Sequence, residues 1–500
     1  MICTKDGLMN LLLAIDQGTT GTTSLLLDAK TLKIIDKEKS DYRQIYPRPG
    51  WVEHDLHDIW NSVSVSIDTI LKRSKCDPQN IIGIGITNQR ETTCAFDKSG
   101  KPLHHAIVWQ DRRTAEYCDS HRSRYNEMGR RKTGLPLDPY FSGTKMRWLL
   151  DHSPEVKLAG QNKNLCLSTI DAFLVYKLTN GKNFVTEASN ASRTMLMNLE
   201  TFQWDSDLLN FFGIDQHFLP EIKESFTHFG ATSHCGILPD GIPILSILGD
   251  QQAALFGQAC VKEGDIKSTY GTGAFLLLNT GEKIIHSTTG LLTTAAYSFK
   301  GKKVYALEGS AYIAGAAVQW LRDNLKCIKS SPEVSQLASE ITDLNQMEHV
   351  LFMPFFTGIG TPYWNSQAKA AIVGLTRDTH NGHIARACLE GIALSLNDSV
   401  SSFKKDFPQL NDIRVDGGAA GNDLLMQMQA NFSQKTILRP EIIDTTAFGV
   451  AVGCLVGKGE LQIEDLNKTW KLQKEFKPES NPYYAKKKDL WDGTIKKLFL

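Results

Sequence analysis

Several things are scarce in this 500-residue sequence, and each absence narrows the field. Net charge is missing: 55 Lys and Arg stand against 55 Asp and Glu. General nucleic-acid binders and polybasic membrane binders rest on an excess of cations, so both classes are excluded, and any anionic ligand has to be held locally. Long hydrophobic runs are missing too. The apolar stretches Leu11 to Ile15, Val350 to Phe356 and Gly449 to Gly457 fall well short of the roughly 20 residues that cross a bilayer. No integral membrane segment is expected. The first ten residues include Lys5 and Asp6, and the apolar run after them leads to Asp16 with no small-residue cleavage site. Secretion is not expected. The ten cysteines are scattered singly with no Cys-x-x-Cys pair. That spacing suits reduced residues in a cytoplasmic protein rather than a disulfide framework or a metal knuckle. With 39 Gly and 17 Pro, composition is ordinary for a packed protein of roughly two or three domains.

What is present is an alternation of strand-length apolar runs with longer segments of helical period, the pattern of an α/β protein. Asn10 to Asp16 reads as a buried strand, followed by a Gly/Thr turn, a second strand over Ser24 to Asp28 and a third starting at Lys33 to Asp36. A Rossmann or P-loop unit would enter a helix directly after its glycines, so a hairpin is expected instead. Asp58 to Lys72 has the spacing of an amphipathic helix, and Ile81 to Ile86 is a strand delivering Asn88, Gln89, Arg90 and Glu91 to its carboxyl end. The strand, Gly/Thr turn, strand layout recurs at Ile266 to Leu278 around Gly271, Thr272 and Gly273. One copy in each half predicts two related domains, 1–255 and 256–500.

Four clusters carry candidate chemistry. In Asp16-Gln17-Gly18-Thr19-Thr20-Gly21, glycines let backbone N–H groups approach a phosphate and the strand-end carboxylate suits a hydrated Mg²⁺; an ordinary hairpin turn accounts for the same residues. Ser268 to Gly273 repeats the turn without the carboxylate. Asp416-Gly417-Gly418 through Asn422 ends a strand in paired glycines before a helix, which suits a flat base or plain architecture. At Gly249-Asp250-Gln251, Asp250 could accept a hydroxyl proton or merely cap a helix. Arg90 and Glu91 offer a donor fork beside an acceptor, as a polyol requires, or form a surface ion pair. Trp109 and Phe275 suit an apolar wall or the core.

Together DQGTT (16–20), GITNQRETT (85–93), IVWQDRRT (107–114), DPYFSGTKMRWLLDH (138–152), NASRTM (190–195), GDQQAALFGQ (249–258), KSTYGTGAF (267–275) and VDGGAAGN (415–422), in order, closely resemble the FGGY carbohydrate kinases, and among them those acting on glycerol. The resemblance implies two actin-like (ribonuclease-H-like) ATPase domains flanking a central cleft, and transfer of the ATP γ-phosphoryl group to glycerol. It implies polyol contacts at Arg90, Glu91, Trp109, Tyr140, Asp250, Gln251 and Phe275, with Asp250 as general base. Asp16 would serve Mg²⁺, while Thr19, Thr20, Gly21, Thr272, Gly315, Gln319, Gly418 and Asn422 would surround ATP. A homodimer or homotetramer is implied as well. The sequence departs from the family at three places: Gly21 and Thr23 replace a usual Ser and Arg, Ala172 follows Asp171 where Thr or Ser is common, and Ala231 to Ile242 lacks a fructose 1,6-bisphosphate loop. The surroundings of His234 do not match those of histidines that are phosphorylated in some relatives. The alternatives are a kinase of another small polyol or sugar, and an actin-like nucleotide switch with no acceptor.

Overall fold

The computed structural model describes residues 9–126 and 128–500. Strand β1 (Leu11–Gln17) is apolar on both faces: Leu11, Leu13 and Ile15 enter one core, Leu12 and Ala14 another. It pairs antiparallel with β2 (Gly21–Asp28), which pairs antiparallel with β3 (Ile34–Asp41). On its other side β1 lies parallel to β4 (Ile81–Asn88), and β4 lies parallel to β5 (Pro243–Gly249). A two-residue edge at Gly230–Ala231 completes this six-stranded sheet.

Helix α1 (Leu56–Ser74) covers one face with Ile59, Val63, Ile67 and Ile70, spaced for a single stripe. Asp55 caps its N-terminus by accepting the His57 N–H, and Lys75 ends it in the left-handed conformation. Both ends lie two residues beyond the predicted Asp58 to Lys72. The third strand starts within the expected Lys33 to Asp36 and continues to Asp41 through Lys37-Glu38-Lys39-Ser40-Asp41, which carries no apolar signal. Charges on an outer strand also discourage pairing with another chain.

After β5 comes α2 (Asp250–Gly257), and then the second sheet: β6 (Ile266–Tyr270), β7 (Ala274–Gly281), β8 (Leu292–Phe299) and β9 (Lys302–Ala311). Strands β10 (Ile413–Asp416), β11 (Ile437–Pro440) and β12 (Leu472–Phe476) extend it to seven in the order β8-β9-β7-β6-β10-β11-β12. The segment β9-β7-β6-β10-β11 repeats the β3-β2-β1-β4-β5 arrangement, antiparallel on one side of the first strand and parallel on the other. Helices α3 (Gly315–Asp323), α4 (Asn381–Asp406) and α5 (Asp423–Ser433) serve this half.

Helix α6 (Thr445–Lys458) lies between β11 and β12 in sequence but packs on the first sheet, where Val450, Ala451 and Cys454 share a core with Leu12, Ala14, Leu25 and Leu27. It crosses α2 at two glycines. A Cβ on Gly449 would overlap the Ala253 carbonyl oxygen, and one on Gly257 would overlap that of Thr445. The close approach therefore requires both.

Among the described residues eight cysteines are free thiols, all buried or half-buried. Cys76 departs from the reduced state expected of all ten, being disulfide-bonded. Among the described residues no helix is long and apolar enough to cross a membrane.

Overpacking the crossing should destabilise the protein. Gly449→Ala is expected to lower unfolding free energy by about 1–3 kcal/mol, read as a fall in urea midpoint at unchanged slope. Gly493→Ala, in the interior of the C-terminal helix with open space around its Cα, should raise stability by about 0.5–1 kcal/mol.

Candidate active site

The parallel strands β1, β4 and β5 end together, and at such edges open α/β sheets bind ligands. From β1 comes Asp16, followed by the turn Gly18, Thr19, Thr20 and Gly21. The Gly18 N–H donates to the Gly21 carbonyl at 2.9 Å. A Cβ on Gly21 would lie 2.6 Å from Asp41 Oδ1, so a serine there would not fit against β3. Thr19 is half-buried and its hydroxyl accepts the indole N–H of Trp109 at 2.9 Å, whereas Thr20 is exposed. Burial, then the nearby Asp250 and Asp444 carboxylates, push Asp16 up to about 7. No cationic side chain pairs with Asp16 among the described residues.

The β6–β7 turn at Gly271, Thr272 and Gly273 is its counterpart. The Ala314 and Ala316 N–H groups donate to the Thr272 carbonyl at 2.8 and 3.1 Å, and the Gly315 N–H to the Gly271 carbonyl at 3.0 Å. A Cβ on Gly315 would lie 2.7 Å from that Gly271 oxygen, which explains glycine at the start of α3. From this turn opens a cavity of about 590 Å³ lined by Thr272, Gly315, Gln319, Gly418 and Asn422, with apolar walls from Val318, Leu389, Ile392 and Leu425. Gly417, at φ +86°, bends β10 past Tyr270, and Asn422 caps α5 by accepting the Leu425 N–H at 3.1 Å. All five residues expected around a nucleotide, other than those of the first turn, thus face one space.

Arg90 and Glu91 follow β4. Both are buried, 3% and 1% exposed, so they are no surface pair, and at 3.9 Å they are not each other's main partner. Arg90 binds both oxygens of Glu308 on β9, at 2.5 and 3.1 Å, and its Nε lies 3.2 Å from Asp250 Oδ1. Arg193 donates to Glu91 at 2.6 Å and to Glu308 at 3.0 Å, while its third nitrogen, without a hydrogen-bond partner, accompanies a guanidinium packed on the Phe141 and Tyr140 rings at 5.3 and 5.7 Å. Burial works against ionisation of Glu308, yet Arg193 and Arg90 hold it at about 2.

Asp250 begins α2 behind an extended Gly249 and accepts the Gln251 N–H at 2.7 Å. Its carboxylate remains about one-third exposed. Gln251 is buried and its side-chain oxygen accepts from Lys267, which also donates to the Thr269 hydroxyl at 2.9 Å and to the Phe275 carbonyl at 3.4 Å. Burial lowers Lys267 to about 8. Trp109 meets Tyr140 edge-on at 5.7 Å, and the Tyr140 carbonyl accepts from the buried Lys145. The structure brings Arg90, Glu91, Asp250, Gln251, Phe275, Trp109, Tyr140 and Thr19 into one connected neighbourhood. Among the described residues no hydrogen bond joins this neighbourhood to the large cavity.

Arg193, Glu308 and Lys267 were not singled out from sequence. A lone carboxylate directly after the apolar run Val304 to Leu307 is the available signal for Glu308, and Arg193 and Lys267 sit inside quoted motifs. His234 is exposed on its loop, 3.1 Å from Asp240. The described residues contain no group of three His, Cys, Asp or Glu side chains arranged for a metal. A hard cation such as Mg²⁺ is usually held by one or two carboxylates with water and substrate phosphates completing its shell. The unpaired Asp16 fits that demand.

Residues 11–257 match the N-terminal domain of the FGGY family of carbohydrate kinases, and residues 266–457 match its C-terminal domain. The chain is 46% identical over 482 residues to the glycerol kinase of Bdellovibrio bacteriovorus, covering 95% of this chain and 97% of that protein. Against the glycerol kinase of Thermococcus onnurineus identity is 46% over 469 residues, 93% of each chain. The crystal structure of Plasmodium falciparum glycerol kinase with ADP superposes with a TM-score of 0.90 at 36% identity, covering 98% of this chain and 99% of that one. Gluconate kinase from Lactobacillus acidophilus superposes at 0.88 with 22% identity over 98% of each chain, a likeness of fold alone.

Glu308→Gln leaves two buried arginines short of a counter-charge and should cost about 3–5 kcal/mol at pH 7. Because the folded-state carboxyl titrates near 2, below its unfolded value, its contribution is complete above about pH 4.5 and is lost as pH falls toward 2. Thermal midpoints of parent and variant across that range should converge as the pH drops.

Proposed function

The chain belongs to the FGGY family of carbohydrate kinases, and from that premise we propose that it transfers the γ-phosphoryl group of ATP to a terminal hydroxyl of glycerol, forming sn-glycerol 3-phosphate. The observation that carries the proposal is Asp250: a partly exposed carboxylate fixed 3.2 Å from a buried arginine, on the helix between the two sheets.

Phosphoryl transfer needs in-line positioning and charge compensation more than covalent help from the protein. Asp250 accepts the proton of the terminal hydroxyl as its oxygen attacks the γ-phosphorus, and ADP departs with the bridging oxygen. Arg90 donates to polyol oxygens and Glu91 accepts from polyol hydroxyls, both immobilised by Glu308 and Arg193. Gln251, oriented through its oxygen by Lys267, turns its amide N–H groups toward substrate. Trp109, Tyr140 and Phe275 face the carbons. The hydroxyls and amides of Thr19 and Thr20 on one side, and of Thr272 on the other, receive phosphate oxygens; Gly21 keeps the first turn tight. Gly315, Gln319, Gly418 and Asn422 surround the rest of the nucleotide in the 590 Å³ cavity. Mg²⁺ held through Asp16 would supply neutralisation of phosphate charge.

Glycerol-dependent ADP release should be observed, with a higher specificity constant for glycerol than for dihydroxyacetone, erythritol or xylulose. A sugar preferred over glycerol would reject the proposal. Asp250→Asn is expected to lower kcat by about 10²–10⁴-fold with glycerol KM changed only a few-fold; near-normal turnover would show that another group takes the proton.

A further inference from the structure

We infer that Tyr42, together with Gln44, positions the first Gly/Thr turn as a phosphate receptor by occupying its carbonyl oxygens. The inference rests on the proposed use of that turn for the phosphates of ATP.

A tight turn carries as many carbonyls as amides, and it attracts an anion only when the N–H ends face outward and the oxygens are directed elsewhere. Here every oxygen of the turn has a donor. The Gly18 carbonyl accepts the Tyr42 hydroxyl at 2.5 Å and the side-chain amides of Gln17 and Gln89 at 2.9 and 3.2 Å. The Thr19 carbonyl accepts the Gln44 amide at 3.0 Å, and the Thr20 carbonyl accepts the Tyr42 backbone N–H at 3.2 Å. The Gly21 carbonyl takes the Gly18 N–H. No acceptor among the described residues takes the N–H of Thr19 or Thr20. Two consecutive amides are thus left for a ligand.

The donors are themselves fixed. Beyond its donation to Gly18, the Tyr42 hydroxyl accepts from Gln17 at 2.8 Å and Gln89 at 3.0 Å, so its bonding capacity is filled. Burial pushes the phenol above its ordinary value, which keeps the proton that Gly18 requires. Gln44 receives on its oxygen a contact from His54 Nε2 at 2.7 Å, so its amide end faces Thr19. Burial lowers His54 to about 4, leaving a neutral ring that can donate to Gln44. The second turn reaches the same state with backbone alone, its Gly271 and Thr272 carbonyls bonded to the N–H groups of residues 314–316. Only the first turn depends on side chains, and Tyr42 and Gln44 act through the turn without facing the phosphate themselves.

The test uses the full chain with Tyr42→Phe, which deletes one oxygen and keeps the ring. Mg-ADP affinity is measured by calorimetric titration, and KM is determined separately for ATP and glycerol. The expected result is a rise of about tenfold in the ADP dissociation constant and in KM for ATP, with KM for glycerol changed less than twofold. Should Tyr42→Phe fail to fold, Gln44→Leu is expected to give the same split. Unchanged ADP affinity, or equal rises in both KM values, would overturn the inference. Because titration needs no phosphoryl acceptor, a parent protein that binds ADP but shows no turnover with glycerol counts against the proposed function alone. Loss of ADP affinity in the variant would then still support the role of Tyr42, whereas a parent that fails to bind ADP overturns both.

Discussion

The structure turns on one buried ion cluster in which Glu308 of the second sheet is shared by Arg90 and Arg193 of the first half, with Glu91 completing the set. Two guanidinium groups and two carboxylates withdrawn from water gain little net stability, since desolvation offsets most of their attraction. What the cluster does provide is geometry. It holds an arginine and a glutamate at fixed positions beside Asp250, and it does so by tying residues more than a hundred positions apart. The surroundings of Asp250 are therefore organised by the contact between the two halves, while the 590 Å³ cavity is lined by residues of the second half alone.

Much of the site was legible because glycine and small polar residues at strand ends have few structural alternatives. The turns at Gly18 and Gly271, the break at Gly417 and the start of α2 at Asp250 fall where the sequence pattern predicts them, and the cavity gathers Thr272, Gly315, Gln319, Gly418 and Asn422. Long-range pairing was not legible. Arg90 and Glu91 read from sequence either as a donor and acceptor for a polyol or as a surface ion pair, and neither reading shows that Arg90 binds a glutamate 218 residues later. The start of the third strand was legible at Lys33 to Asp36 but its end was not, because an edge strand rich in charge buries too little to leave a hydrophobic signature.

The two Gly/Thr turns show how a repeated architecture reaches one end by two routes. The second turn borrows the free amides at the start of α3, which a helix always has to spare. Both turns run into strands, but among the described residues no helix start donates to the carbonyls of the first, and side chains from Tyr42, Gln44 and Gln89 stand in. The glycines of the two motifs are alike in sequence; their supporting shells are not, and local pattern carries no trace of that difference.

Helix α6 adds a temporal constraint. Leu12, Ala14, Leu25 and Leu27 find their cover in residues that follow all but the last strand of the second sheet. A chain leaving the ribosome would complete β1 to β5 some two hundred residues before Val450 and Ala451 emerge, so one face of the finished first sheet has to wait with its leucines uncovered. Such a nascent half is aggregation-prone by construction, and it stays so until the later residues arrive to cover it.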